Sequence, residues 1–256
     1  MGIYNEHEGA CMINNVIFSS TTDPMYMDFI VPTVRMWKTL LPEVNVIVGI
    51  VTPNPEAIED LVVPDAEVVI YPSMPGIPDQ NFAKVLRTIL ATEASGYSLI
   101  SDVDMFPLNE KYFRENSEYV TPDNLVFYTQ ELDGEDVGKF PICYMLASRV
   151  TWKKLINPEE SHLMDLFMSW TFDGKMEDIR KLPFSDESLY RRIFKDTDVE
   201  KKKLTRHHQE RRLCRSNWDF DMGKLRSGFY IDSHLPRPLS ETIGMIEPIL
   251  DYYGIN

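Results

Sequence analysis

Along its first hundred residues the chain alternates short apolar runs with segments of helical period. Val16 to Ser20 reads as a buried strand, after which Thr22 or Asp23 caps a helix with Pro24 at its first position. Tyr26, Ile30, Val34, Trp37 and Leu41 mark the buried stripe of that helix, and Pro32 is expected to kink it. Val44 to Val51 reads as a second buried strand, Pro55 to Leu61 as a short helix and Glu67 to Tyr71 as a third strand. Beyond the Pro-rich loop from Pro72 to Asp79, Asn81 is expected to cap a helix whose core stripe is Phe82, Val85, Leu86, Ile89 and Leu90. Lys84 and Arg87, three residues apart, share another face of this helix near its start. A fourth apolar run, Tyr97 to Asp102, follows at once.

This order predicts an α/β fold with a mixed, mainly parallel central sheet flanked by helices, resembling a doubly wound Rossmann-like sheet. The second half is less regular. Strands are expected near 125–131 and 140–147 around an Asp133-Gly134 turn, with helices near 149–156 and 161–170. Ser185 caps a helix carrying Asp186, Glu187, Tyr190, Ile193 and Phe194, and Gly228 to Asp232 reads as a last strand, ending at His234. No linker, repeat or low-complexity tract divides the chain, so residues 1–256 are read as one domain with halves at about 1–125 and 126–256.

The fourth apolar run ends in Asp102-Val103-Asp104. At the carboxyl edge of an open parallel sheet, where such folds place ligands, two carboxylates one residue apart are suited to holding a divalent cation. An acidic chain produces such triplets by chance, and two others occur, at Asp196-Thr197-Asp198 and Asp219-Phe220-Asp221. Only the triplet at 102–104 terminates an apolar strand.

Composition narrows the function classes. The content of 43% hydrophobic and 26% charged residues is that of a globular protein, and a net charge of -14 argues against a general nucleic-acid binder, because polyanions are bound by basic surfaces. One segment, 201–215, runs against that balance with seven Lys or Arg and one Glu. It reads as a solvated charged segment, or as a lid or patch that meets phosphates, an anionic acceptor or, peripherally, a membrane surface. No apolar stretch reaches the roughly 18 residues a transmembrane segment needs, and the first residues show neither a basic leader nor an apolar core of a signal peptide, so a soluble, cytoplasmic location is expected. Cys11, Cys143 and Cys214 are odd in number and lack metal-ligand spacing, as suits free thiols in a reducing compartment.

A parallel-sheet half with a strand-terminal Asp-Val-Asp, followed by an irregular half with a late strand and His234, resembles the GT-A fold glycosyltransferases. In the order of its motifs the chain is most similar to the glycogenin-like family 8, and it also resembles compact virus-encoded GT-A enzymes. The resemblance covers roughly residues 16–238 and implies a nucleotide-sugar-binding first half and an acceptor-binding second half. It implies that Asp102, Asp104 and His234 hold Mn²⁺ or Mg²⁺ against the diphosphate of a donor, expected to be a UDP-sugar. Ser20, Thr21, Thr22, Asp23 and Tyr26 look like the family's nucleotide-binding turn, with the tyrosine stacking on uracil. Lys84 falls where the family has a donor-binding lysine, and Arg87, Asp102 and Val103 join the same donor site. His234-Leu-Pro-Arg237-Pro238 is similar to a shortened form of the family's closing motif, with Arg237 taking a phosphate-binding role. Asp186 and Glu187 fall where the family has its Asp-Gln pair and are the candidate catalytic residues. The segment Phe140-Pro-Ile-Cys-Tyr-Met resembles the Phe-Asn-x-Gly strand but lacks its Asn and Gly. The implied acceptor is a glycan, a lipid or a protein, and the implied outcome is retention of anomeric configuration; an inverting enzyme would instead use Asp186 or Glu187 as general base. Two other readings compete. A sugar-1-phosphate nucleotidyltransferase shares the sheet but carries a Gly-rich basic turn after its first strand, where this chain has Ser-Ser-Thr-Thr-Asp-Pro. A non-catalytic carbohydrate-binding protein would keep the fold without turnover.

Overall fold

The computed structural model describes residues 11–128, 142–157, 159, 190, 194, 197–204 and 211–255. Its first half contains strand β1 (Asn15–Thr21), helices α1 (Pro24–Met27) and α2 (Ile30–Leu40), strand β2 (Asn45–Thr52), a 3-10 turn (Pro55–Ala57), strand β3 (Ala66–Pro72), helix α3 (Asp79–Glu93) and strand β4 (Tyr97–Ser101). Then follow β5 (Met105–Pro107), α4 (Glu110–Ser117), β6 (Asn124–Phe127), β7 (Tyr144–Ser148), α5 (Arg149–Ile156), β8 (Glu200–Lys203), β9 (Arg212–Cys214), α6 (Met222–Arg226), β10 (Asp232–His234) and α7 (Leu239–Tyr252).

Among the described residues, seven strands form one sheet in the order β3-β2-β1-β4-β7-β6-β8. The four strands of the first half are parallel, β7 is antiparallel to both β4 and β6, and β8 runs parallel to β6. From β1 the chain winds outward to β3 and then crosses to β4 on the other side. That reversal leaves a crevice beyond the carboxyl ends of β1 and β4, the position where open α/β sheets bind ligands.

Both sheet faces are covered, which is why the strands read as continuous apolar runs rather than alternating ones. Val16, Phe18, Val46, Val48, Ile50 and Leu99 pack in one layer with Val34 and Trp37 of α2. Their neighbours Ile17, Ile47, Val51 and Ile100 pack in the other with Val85, Leu86 and Ile89 of α3 and Trp152 of α5. At Gly49 in β2 an added Cβ would stand 2.8 Å from side-chain atoms of both Leu86 and Leu90, so α3 rests directly on the β2 backbone.

Several expected elements differ in detail. The single kinked helix after β1 is two helices, and Pro32 sits in the first turn of α2, where a missing N–H has no partner to lose. Asn81 does not cap α3, which begins at Asp79 after Pro78, and the helix at Pro55 to Leu61 is only the 3-10 turn. The expected last strand at Gly228 to Asp232 is displaced to β10: Gly228 has φ 67°, a left-handed turn that ends α6, so the strand starts only at Asp232. Helices α4 and α7 had no counterpart in the sequence reading. The expected turn at Asp133-Gly134 and the helix at 161–170 lie outside the described residues. Within the basic segment, Lys201, Lys202 and Lys203 belong to the edge strand β8 and Arg212 to Cys214 form β9.

A second sheet of three short strands, in the order β5-β10-β9, stands beyond the carboxyl end of β4. It joins residues of the two halves of the chain. Strand β10 is antiparallel to β5 and parallel to β9, so His234 pairs with Met105 on one side and with Cys214 on the other.

Candidate active site

Strand β4 ends at Ser101, which makes Asp102 the first residue beyond the sheet. Two helices on opposite faces of the sheet hold the turn that follows. Arg87 of α3 donates to the Ser101 carbonyl at 2.8 Å and pairs with the Asp102 carboxylate, while the Thr33 hydroxyl of α2 donates to the Val103 carbonyl at 2.7 Å. Next to it, the Leu235 N–H donates to the Asp104 carbonyl at 2.9 Å, extending the register of β5 and β10 by one step. This register carries the His234 imidazole to 3.5 Å from the Asp104 carboxylate, across a long sequence separation.

Asp104 is only 5% exposed. Among the described residues three side chains meet its Oδ2: Arg215 Nη1 at 2.9 Å, His234 Nε2 at 3.5 Å and Arg237 Nε at 3.5 Å. Burial pushes the carboxyl's pKa up, but the hydrogen bond from His234 and the charges of His234, Arg237 and Arg215 outweigh it, so the net shift is downward and the carboxylate stays ionised.

A cavity of about 370 Å³ opens at this point. Of the residues expected to bind donor or metal, Ser20, Thr21, Tyr26, Lys84, Arg87, Asp102, Val103, Asp104, His234 and Arg237 line it. Tyr26 is half-buried and its ring lies 4.8 Å from the Arg237 guanidinium, so it serves the cavity wall and the core edge together. Thr22 and Asp23 do not line it. The Asp23 carboxylate accepts from the Met25 N–H at 2.9 Å and caps α1, and the Thr22 hydroxyl lies 3.5 Å from that of Thr52. Asp186 and Glu187 lie outside the described residues.

The cavity also holds residues that sequence reasoning did not single out: Gln80, Cys143, Arg212 and Arg215. Arg212 makes a two-pronged pair with the fully buried Asp232, at 2.9 and 3.2 Å, and its Nη2 lies 3.3 Å from the Cys143 sulfur. The signal was the basic run at 201–215, whose last arginines turn inward because Asp232 pairs with Arg212, and His234 with Cys214, in the β9–β10 register. Of the other two Asp-x-Asp triplets, Asp198 is exposed and pairs with Lys154 at 2.7 Å, and Asp221 caps α6 through the Lys224 N–H at 2.8 Å; Asp196 lies outside the described residues.

Two carboxylates and one imidazole on one cavity wall are donor types that suit Mn²⁺, and the carboxylates also suit Mg²⁺. Among the described residues no three His, Cys, Asp or Glu side chains are gathered closely enough to hold a metal as they stand. Instead each carboxylate faces a guanidinium, Asp102 that of Arg87 and Asp104 that of Arg215. The donor set therefore fits such an ion in type, and a bound cation would take over the place of a guanidinium.

No family model and no curated protein matches the sequence. Solved structures do. The galactosyltransferase LgtC in complex with donor and acceptor sugar analogues is similar at a TM-score of 0.50 and 10% identity, over 94% of this chain and 95% of that one. The apo form of the glycosyltransferase GlyE of Streptococcus pneumoniae TIGR4 is similar at a TM-score of 0.52 and 12% identity, over 87% of this chain and 54% of that one. With its mixed seven-stranded sheet flanked by helices, this chain has the GT-A-like fold of those structures.

Proposed function

We propose that the chain is a metal-dependent glycosyltransferase that moves a sugar from a nucleotide diphosphate sugar, a UDP-sugar, to an acceptor hydroxyl. The observation that carries this reading is the meeting, in one cavity at the crossover of the sheet, of the carboxyl end of β1, the cationic face of α3, the two strand-end carboxylates and the His234–Arg237 segment. The GT-A-like fold supports it, since both similar structures are of glycosyltransferases.

In this mechanism Ser20 and Thr21 bind the nucleotide, Tyr26 stacks on its base, and Lys84, Arg87 and Arg237 hold the phosphates; Thr22, Asp23 and Val103 shape the turn and strand end that present these groups. Asp102, Asp104 and His234 would hold Mn²⁺ or Mg²⁺, which as a Lewis acid neutralises the charge that develops on the departing nucleoside diphosphate. The chain's own cations act toward the same end, and the buried walls around Asp104 strengthen them by excluding water. On the family 8 resemblance the reaction retains anomeric configuration. The acceptor hydroxyl attacks from the face the diphosphate leaves, and a departing phosphate oxygen accepts its proton. Asp186 then binds sugar hydroxyls and Glu187 stabilises the oxocarbenium-like centre. The acceptor is a glycan, a lipid or a protein.

A panel of UDP- and GDP-sugars with Mn²⁺, scored first by thermal shift and then by the anomeric NMR signals of donor and product, tests this reading. Consumption of one donor with release of its nucleoside diphosphate is expected. Pyrophosphate release from UTP and a sugar 1-phosphate would instead identify a nucleotidyltransferase, and sugar binding without turnover a carbohydrate-binding protein.

A further inference from the structure

A site whose only recognition element for a diphosphate is a divalent cation presents bare carboxylates when the cation is absent, and these repel the ligand. The cavity described above is built differently. Asp102 is met by Arg87, whose side chain is 3% exposed and held by the Ser101 carbonyl as well. Asp104 is met by two guanidiniums that a ligand can reach: Arg215, with a side chain 33% exposed, and Arg237, with one 22% exposed. Two positive charges thus share one carboxylate oxygen, which leaves that corner of the cavity electropositive.

Arg215 closes the basic run 201–215 and belongs to none of the motifs that carry the family resemblance. It arrives there through strand register: Cys214 pairs with His234 across β9 and β10, and the next residue is carried to Asp104. Only its Nη1 is engaged, by Asp104, among the described residues. A guanidinium offers five N–H donors in a planar fork, of a shape that matches phosphate oxygens two at a time, so the remaining edge of Arg215 is available to an anion in the cavity.

We propose that Arg215 is a ligand of the donor's diphosphate, and that with Arg237 it enables the cavity to bind a nucleoside diphosphate in the absence of any divalent cation. The inference rests on the nucleotide-sugar reading of the same cavity. In the cation-free protein the phosphates take the open edge of Arg215 while Asp104 keeps the other. A cation on the Asp102–Asp104 side would itself supply most of the attraction for the phosphates. Arg215 is therefore most important for binding where the cation is missing.

Isothermal titration of the full chain with UDP and with GDP, once in EDTA and once in MnCl₂, tests this. The proposal expects one of the two nucleotides to bind in EDTA. Arg215→Ala should weaken that binding by at least about tenfold, and should weaken binding in MnCl₂ by less than about threefold. Arg215→Lys, which keeps the charge but loses the fork, should recover only part of the affinity in EDTA. Binding confined to MnCl₂, or an equal loss for Arg215→Ala in both media, overturns the proposal while leaving the nucleotide-sugar reading in place. Absence of binding in both media overturns the two together. Circular dichroism reports whether each variant is folded; should Arg215→Ala fail to fold, the wild-type comparison in EDTA and the Arg215→Lys titration still decide.

Discussion

Asp102 and Asp104 differ only in where the backbone puts them. Asp102 stands at the mouth of the cavity against a buried arginine, and Asp104 lies under the second sheet with three donors on one oxygen. The sequence showed the triplet because an apolar run ended there, a local signal. It marked Arg212 and Arg215 only as members of the basic run 201–215, because their approach to the site depends on the pairing of β9 with β10 and of β10 with β5, which has no linear signature. The same register makes a prediction about stability. Asp232 is fully buried and accepts both bonds of the Arg212 fork, so Asp232→Ala leaves a guanidinium 8% exposed without its carboxylate. Loss of one partner from a buried pair costs about 3–5 kcal/mol, and urea unfolding of Asp232→Ala should show a loss of that order. A loss below about 1 kcal/mol would mean that the pair is not buried as described.

Among the elements, those legible in the sequence carry an apolar run or a helical stripe that can be read locally, the edge strand β3 included. Strands β1, β2 and β4 and helix α3 announce themselves by continuous apolar runs or a full stripe. Helix α4 (Glu110–Ser117) has only Phe113 and Ser117 buried, and α7 carries Pro248 inside it and leaves Ile243, Met245 and Tyr252 exposed, so neither shows a clean period. The close approach of α3 to β2 gives a test of packing. Gly49→Ala would force Leu86 and Leu90 aside, and overpacking of this kind costs about 1–3 kcal/mol, readable as a lower urea midpoint at unchanged slope.

Helix α4 is tied to the turn before β2 by Arg114, which bonds Glu43 and Glu110. The Arg114 hydrogen bond is the main reason that the Glu43 carboxyl titrates below its ordinary 4.5. A carboxyl whose pKa is depressed by folding stabilises the protein fully above the unfolded value, and that contribution fades as pH falls through the folded one. The thermal midpoint of wild type should therefore exceed that of Glu43→Gln at neutral pH by a small margin that shrinks below pH 4.5 and also shrinks in high salt, since the pair is half-exposed. A gap that widens on acidification would contradict the assignment.

At the scale of the molecule, the crossover between β1 and β4 opens a crevice, and the second sheet closes one side of it with residues from the far end of the chain. Fold class follows from the alternation of strands and helices in the first half, and the site follows from its strand ends; the strand pairing that carries His234 and Arg237 to them is visible only in three dimensions. On the proposed function, a nucleotide diphosphate sugar is cleaved in this crevice and Asp104 is indispensable. Because water can replace an unidentified acceptor, the most direct measurement is release of nucleoside diphosphate from UDP- and GDP-sugars in MnCl₂, followed by NMR for wild type and for Asp104→Asn. Wild type should release it from one donor, and the rate should fall at least about a hundredfold in the folded variant. Release at the wild-type rate by Asp104→Asn, or no release from any donor by wild type, would contradict that function.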